Sequence, residues 1–349
     1  MRQPRIGVVV AALVGLLSSL APEALAQARG PVKIGGLFEL TGVFSPNARE
    51  SLDGSRLYFE EIGWKAAGRT IELLVEDTEG KPDVGLTKAR KLVERDGVHL
   101  LMGIVSSPIG MAVQGYARDK KVPVVVSADF GASLVTMPGK LLNPYLFRWS
   151  QTGIGPGAAA GDWAYKDAGW RKVAMITSDF PAGIEANGIF TRVFCDLGGR
   201  VTQEIYVPIG TPDWAPFLAQ VDRSVDAVVF FAPGADGLRF GRQYQEYGLK
   251  EKLPLMDVYA QVTHEPLLSQ LGNAVLGVHS AVHYAAVLDT PENKKFVAAF
   301  KAKYNRLPFD NGPDGWVGAR AIAESLKAVN GNVEDQEKVM AAMRKAEFD

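Results

Sequence analysis

The residues of this chain best suited to chemistry stand where apolar runs end. Leu100-Leu101-Met102-Gly103-Ile104-Val105 runs into Ser106-Ser107-Pro108, and a helical pattern through Met111, Val113 and Tyr116 follows. Both serines therefore stand at a helix N-terminus, where free backbone N–H groups and the helix dipole favour an anion, and one of them is expected to cap the helix. Pro123-Val124-Val125-Val126-Ser127 leads into Ala128-Asp129-Phe130-Gly131-Ala132. Ile176-Thr177 ends at Ser178-Asp179-Phe180-Pro181-Ala182-Gly183, and Val228-Val229-Phe230-Phe231 ends at Ala232-Pro233-Gly234-Ala235-Asp236. A further run reaches Asp257-Val258-Tyr259. Ligands of open α/β sheets sit outside the carboxyl ends of the strands, so these loops are expected to line one mouth and hold a small molecule without making or breaking a bond.

Motifs for covalent chemistry are weak by comparison. Gly153-Ile154-Gly155-Pro156-Gly157-Ala158 fits a dinucleotide turn, with Asp179 at about the expected distance, and a secreted nicotinamide- or flavin-dependent oxidoreductase would use it. That turn needs an apolar strand running into its first glycine, whereas Arg148-Trp149-Ser150-Gln151-Thr152 is mostly polar, so a glycine-rich turn between lobes is the expectation. There is no Gly-x-Ser-x-Gly elbow and no phosphate loop ending in Gly-Lys-Ser/Thr. His279 and His283 would share a face for a metal only on a helix, and their surroundings read as an extended segment leaving Gly277. No cofactor and no metal are expected.

The elements that must position the loops alternate along the chain. Strands are expected at Val32 to Leu37, Ile71 to Glu76, His99 to Ile104 and Val122 to Ser127, then at Lys172 to Thr177, Val201 to Tyr206, Ala227 to Ala232 and Leu253 to Val258. Helices lie between them, as at Arg49 to Ile62 and at Val84 to Asp96, where Leu86, Ala89, Leu92 and Val93 share a face. Strands this apolar, separated by helices, imply an α/β fold with parallel sheets covered on both faces. The pattern breaks near Leu142 to Gly157 and again near Gly277 to Leu288. Two lobes are expected, the first from 27–147 plus 278–349 and the second from 148–277.

The N-terminus has the form of an export signal. Arg2 and Arg5 precede an uncharged, largely apolar stretch from Ile6 to Leu20, and Ala24-Leu25-Ala26 is a small-x-small cleavage site before Gln27. Residues 1–26 are expected to be removed, leaving a periplasmic chain. A net charge of −1 without a dense basic block argues against nucleic acid as a partner. Cys195 is the only cysteine, which excludes an intramolecular disulfide; its helical surroundings suggest a buried, inert thiol.

Motifs distributed along the whole mature chain resemble the solute-binding proteins of ABC importers, in the branched-chain amino acid type family. Lys33-Ile34-Gly35-Gly36-Leu37 with Leu40-Thr41-Gly42, Leu52-Asp53-Gly54, Glu76-Asp77-Thr78, Gly103-Ile104-Val105-Ser106-Ser107, Pro233-Gly234-Ala235-Asp236 and Trp316-Val317-Gly318-Ala319 carry the resemblance. It implies a type I periplasmic binding protein: two Rossmann-like lobes on a three-crossing hinge, closing on a ligand for a membrane permease, and acting as a monomer. A ligand-binding sensor subunit of a membrane receptor uses the same fold. By resemblance Ser107 holds a ligand carboxylate, Phe130, Gly131 and Ala132 form the second contact of the first lobe, and Ala182 stands where amino-acid binders have a capping aromatic. Tyr259 or Asp257 falls where those binders place an acid for the ligand ammonium. The departures at Phe130-Gly131 and Ala182, with Phe180 and Tyr259 nearby, favour an aromatic or short organic acid over an α-amino acid. Family members continue beyond the equivalent of Asp349 into a last strand and the third crossing, so a truncated first lobe is expected.

Overall fold

The computed structural model describes residues 30–127, 143–150, 154–263 and 265–347. The leader and its cleavage site, the loop with Phe130, Gly131 and Ala132, and the end at Asp349 lie outside the described residues. Two sheets organise the chain. The first holds β1 (Val32–Phe38), β2 (Lys65–Ala66), β3 (Arg69–Asp77), β4 (Leu100–Gly103), β5 (Val124–Val126) and β6 (Leu146–Arg148), in the order β2-β3-β1-β4-β5-β6. Its pairings are parallel except for the short β2–β3 ribbon. The second holds β7 (Lys172–Ser178), β8 (Arg200–Val207), β9 (Ala227–Phe231), β10 (Leu255–Val258) and β11 (His279–Ala281), all parallel.

The apolar runs became central strands because both faces needed cover: every residue of β4, β5, β9 and β10 is buried. Around the first sheet pack α1 (Ser45–Glu61), α2 (Pro82–Arg90, continued by a π-turn at Lys91–Arg95) and α3 (Ser107–Lys120). The second carries α4 (Ile154–Lys166), α5 (Pro181–Asp196), α6 (Ala215–Leu218), α7 (Gly234–Glu246) and α8 (Glu265–Leu271). The chain then returns to the first sheet with α9 (Pro291–Tyr304), α10 (Asn311–Ala328) and α11 (Gln336–Lys345), where Ala319, Ile322, Ala323, Val339 and Met343 share a core with Ile34 and Met102.

β6 and β11 emerge as short strands at the two breaks. β11 pairs with β10, so the chain stays with the second sheet through Ala281 before crossing back. The glycine run after β6 has a packing role. A Cβ on Gly157 would stand 2.6 Å from the Ala186 carbonyl oxygen, and one on Gly161 would stand 2.8 Å from that of Phe190. These glycines let α4 lie against α5; Gly155 and Gly157, expected in a turn between lobes, are instead in the first turn of that helix, and the strand before it belongs to the other sheet. Cys195 is exposed on α5, correcting the expectation of a buried thiol, because Phe194 takes the inward position.

Candidate functional site

Each sheet has one place where chain order reverses, and ligand crevices form at such switch points. In the first it lies between β1 and β4; in the second, between β7 and β9. The loops leaving these four strands face one another. Among the described residues, Phe44, Asn47, Val105, Phe180, Ala182, Phe231, Pro233, Gln261, Asp310 and Asn311 line a cavity of ≈ 30 Å³ between them. That is space for a water-sized molecule. Phe44 meets Phe180 edge-on across the cleft at 5.9 Å, and Phe231 lies 5.8 Å from Phe180. The Val43 carbonyl accepts a hydrogen bond from the Ala235 N–H at 3.0 Å, joining the lobes directly. One apolar cluster runs from Phe38 and Leu52 of the first lobe to Phe190 and Met256 of the second.

Ser106 and Ser107 are both 1 % exposed at the start of α3. The expected side-chain cap is absent: Ser106 has extended backbone at the N-cap position, but its hydroxyl makes no capping bond. Glu39, the residue after β1, binds the backbone just before the helix instead. Its carboxylate accepts from Ser106 N–H at 2.8 Å and from Val105 N–H at 3.1 Å. Burial raises its pKa from 4.5 to about 7, against the lowering effect of these bonds. The chain's own carboxyl thus occupies the two N–H groups that lead into α3, while the buried Ser106 hydroxyl oxygen has no protein partner.

Phe180, Ala182 and Pro233 line the cavity, at the N-termini of α5 and α7. Tyr259 packs on Phe231 at 5.8 Å and His283 at 6.2 Å. Asp257 is turned to the backbone: its oxygens accept from Gln261 N–H (2.8 Å), Val262 N–H (2.8 Å) and Thr263 N–H (3.2 Å). Those bonds shape the loop after β10 and leave no carboxylate edge for a ligand ammonium. His279 lies in β11 beside Trp163 (4.5 Å), and His283 faces Asp314 at 3.7 Å. β11 ends at Ala281, so His283 lies beyond the strand with different neighbours from His279, and among the described residues no group of three His, Cys, Asp or Glu could hold a metal.

Sequence reasoning missed Glu39, Phe44 and Asn47, which follow β1, although the strand-end rule that flagged the other loops applies to β1 as well. Asp310 and Asn311 had no such signal, since α10 reaches the cleft from a distant part of the chain. No lysine or arginine lines the cavity among the described residues. An anion there must be held by neutral donors and helix N-termini, within aromatic walls.

Two switch points facing across a cleft define a solute-binding protein of two lobes, and the comparisons agree. The family model for periplasmic binding proteins matches residues 31–349. A Leu/Ile/Val-binding protein homolog 6 of Brucella melitensis is 31% identical over 323 residues, covering 91% of this chain and 81% of that protein. A solute-binding protein of an ABC transporter from R. palustris, solved with benzoate, is 29% identical with a TM-score of 0.84, covering 91% of this chain and 87% of that one. Another, from Rhodopseudomonas palustris BisB5 with 3,4-dihydroxybenzoic acid, is 32% identical with a TM-score of 0.82, covering 89% and 84%. This chain belongs to the periplasmic binding protein family, as a substrate-binding protein of the branched-chain amino acid type ABC importers. Proteins of this kind bind and release their ligand without chemistry, and this one is not an enzyme. The family implies a periplasmic location and a permease as partner.

Proposed function

We propose that the protein, exported with its leader cleaved after Ala26, captures a small aromatic carboxylate by closing its cleft and delivers it to a membrane permease. The observation that carries this reading is the chemistry of the residues that line the cleft. Phe44, Phe180 and Phe231 supply ring-sized apolar walls, and the acid suited to an α-ammonium, Asp257, is bound to the backbone. The aromatic acids in the two Rhodopseudomonas relatives support the same class. Ser106 and Ser107, which adjoin Val105 of the lining and are not in it, are the donors assigned to the carboxylate in this reading, the Ser106 hydroxyl being buried without a protein partner. Pro233 and Ala182 complete the second lobe's side, and Tyr259 backs Phe231.

A thermal-shift panel of benzoates, aliphatic acids, amides, leucine and valine tests this. A ligand at ~100 times its Kd adds ~2.7 kcal/mol, several degrees in Tm. A benzoate is expected to give the largest shift, and a larger response to leucine or valine would overturn the reading. Ser107→Ala is expected to weaken the cognate carboxylate by ~1–3 kcal/mol in calorimetry. Unchanged affinity would move the carboxylate elsewhere.

A further inference from the structure

The cavity has polar walls that an unsubstituted aromatic acid leaves idle. Asn47 on α1 is 7% exposed and Asn311 at the start of α10 is 2% exposed, and both line it. The Oδ1 of each is buried with no hydrogen-bond partner in the protein. Buried amide oxygens are normally paired, and two unpaired ones on one ligand cavity mark places where a ligand atom completes the bonding. Their neighbours do not supply it. Asp310 accepts from the Asn311 backbone N–H at 2.8 Å, and Gln261 donates its amide to the Tyr259 carbonyl at 2.9 Å.

The chemistry of the missing partner follows from what an amide offers. Each side chain presents a carbonyl acceptor and an NH2 donor. A carboxylate satisfies only the donors, and a ring C–H satisfies neither. A hydroxyl both donates to an Oδ1 and accepts from an Nδ2, and it adds no charge to a cavity whose lining holds the acidic Asp310 and, among the described residues, no cationic side chain. Resting on the aromatic-carboxylate reading above, we propose that the cognate ligand is a ring-hydroxylated aromatic carboxylate, and that Asn47 and Asn311 are the residues that read its hydroxyl groups, each Oδ1 taking one hydroxyl proton.

The test is a ratio of affinities in the full chain, measured by calorimetry with benzoate, 3-hydroxybenzoate, 4-hydroxybenzoate and 3,4-dihydroxybenzoate. A site built around a hydroxyl rejects the analogue lacking it, so at least one hydroxylated acid is expected to bind about tenfold or more tighter than benzoate. In Asn47→Leu, Asn311→Leu or the double variant that preference should collapse to within about threefold, the leucines removing both amide edges at similar volume. Each variant is first shown to melt cooperatively; where one does not, the wild-type ratio still decides. Benzoate binding as tightly as every hydroxylated acid would overturn this inference and leave the aromatic-acid reading standing. A preference that survives in the double variant would overturn the assignment to these asparagines. No binding of any aromatic acid would remove both readings together.

Discussion

At the scale of residues, Glu39 shows how a buried carboxyl can shape a ligand site without being exposed to the ligand. It binds the Val105 and Ser106 N–H groups that lead into α3, so the strand end beside the cavity is held by a buried acid. Its raised pKa has a consequence for stability. Below about 4.5 the carboxyl is protonated in both folded and unfolded chains; between there and about 7 the unfolded chain ionises while the native one resists. The native state therefore loses stability as pH rises through that window, by at most roughly 3 kcal/mol for this group. Asp257, raised by burial from 3.8 to about 7, acts in the same direction. Tm measured from pH 5 to pH 8 should fall, and Glu39→Gln should flatten the profile because glutamine cannot ionise. An unaltered slope in that variant would assign the dependence to other groups.

At the scale of elements, the cleft depends on helices brought unusually close. A Cβ on Gly54 of α1 would stand 1.8 Å from the Gly312 carbonyl oxygen of α10, and one on Gly315 would stand 1.9 Å from that of Ser51. This contact carries Asn311, on a distant part of the chain, to the cavity that Asn47 lines. Gly54→Ala forces backbone against backbone and should cost about 3 kcal/mol, read as a lower midpoint in urea. It should also weaken ligand binding, since α10 supplies part of the wall. Normal stability would show that the helices can separate without loss.

At the scale of the whole molecule, closure is what the two lobes exist to do, and one glycine permits it. Gly234 has φ +49° at the head of α7, and a Cβ there would stand 2.1 Å from the Val43 carbonyl oxygen of the other lobe. The same carbonyl receives the Ala235 N–H, so Gly234→Ala removes an inter-lobe bond and inserts an obstacle against it. A ligand shifts the open–closed equilibrium only by binding the closed form better, so obstructing closure must appear as lost affinity. Gly234→Ala should weaken the ligand at least ~tenfold and should keep the radius of gyration in solution at its open value when ligand is added. Compaction on ligand addition as in the wild type would contradict this.

Alternating apolar runs and helical patterns were enough to define parallel sheets and the strand ends that form the mouth, because a buried strand must be apolar along its length whatever its partners. Phe180, Ala182 and Pro233 were legible for that reason, each standing just after such a run. The glycine run read as a turn between lobes, but Gly155 and Gly157 begin α4, because their use in packing α4 on α5 depended on which helix lay opposite. The sequence by itself determined the class of fold, the family and several of the strand-end loops that line the cleft, though not the one after β1 or the start of α10. Only the tertiary structure decided which groups in those loops remain unsatisfied. Hydrogen bonding is settled by neighbours distant in the chain, and it assigned Asp257 to the backbone, Glu39 to the mouth of α3, and Asn47 and Asn311 to the cleft.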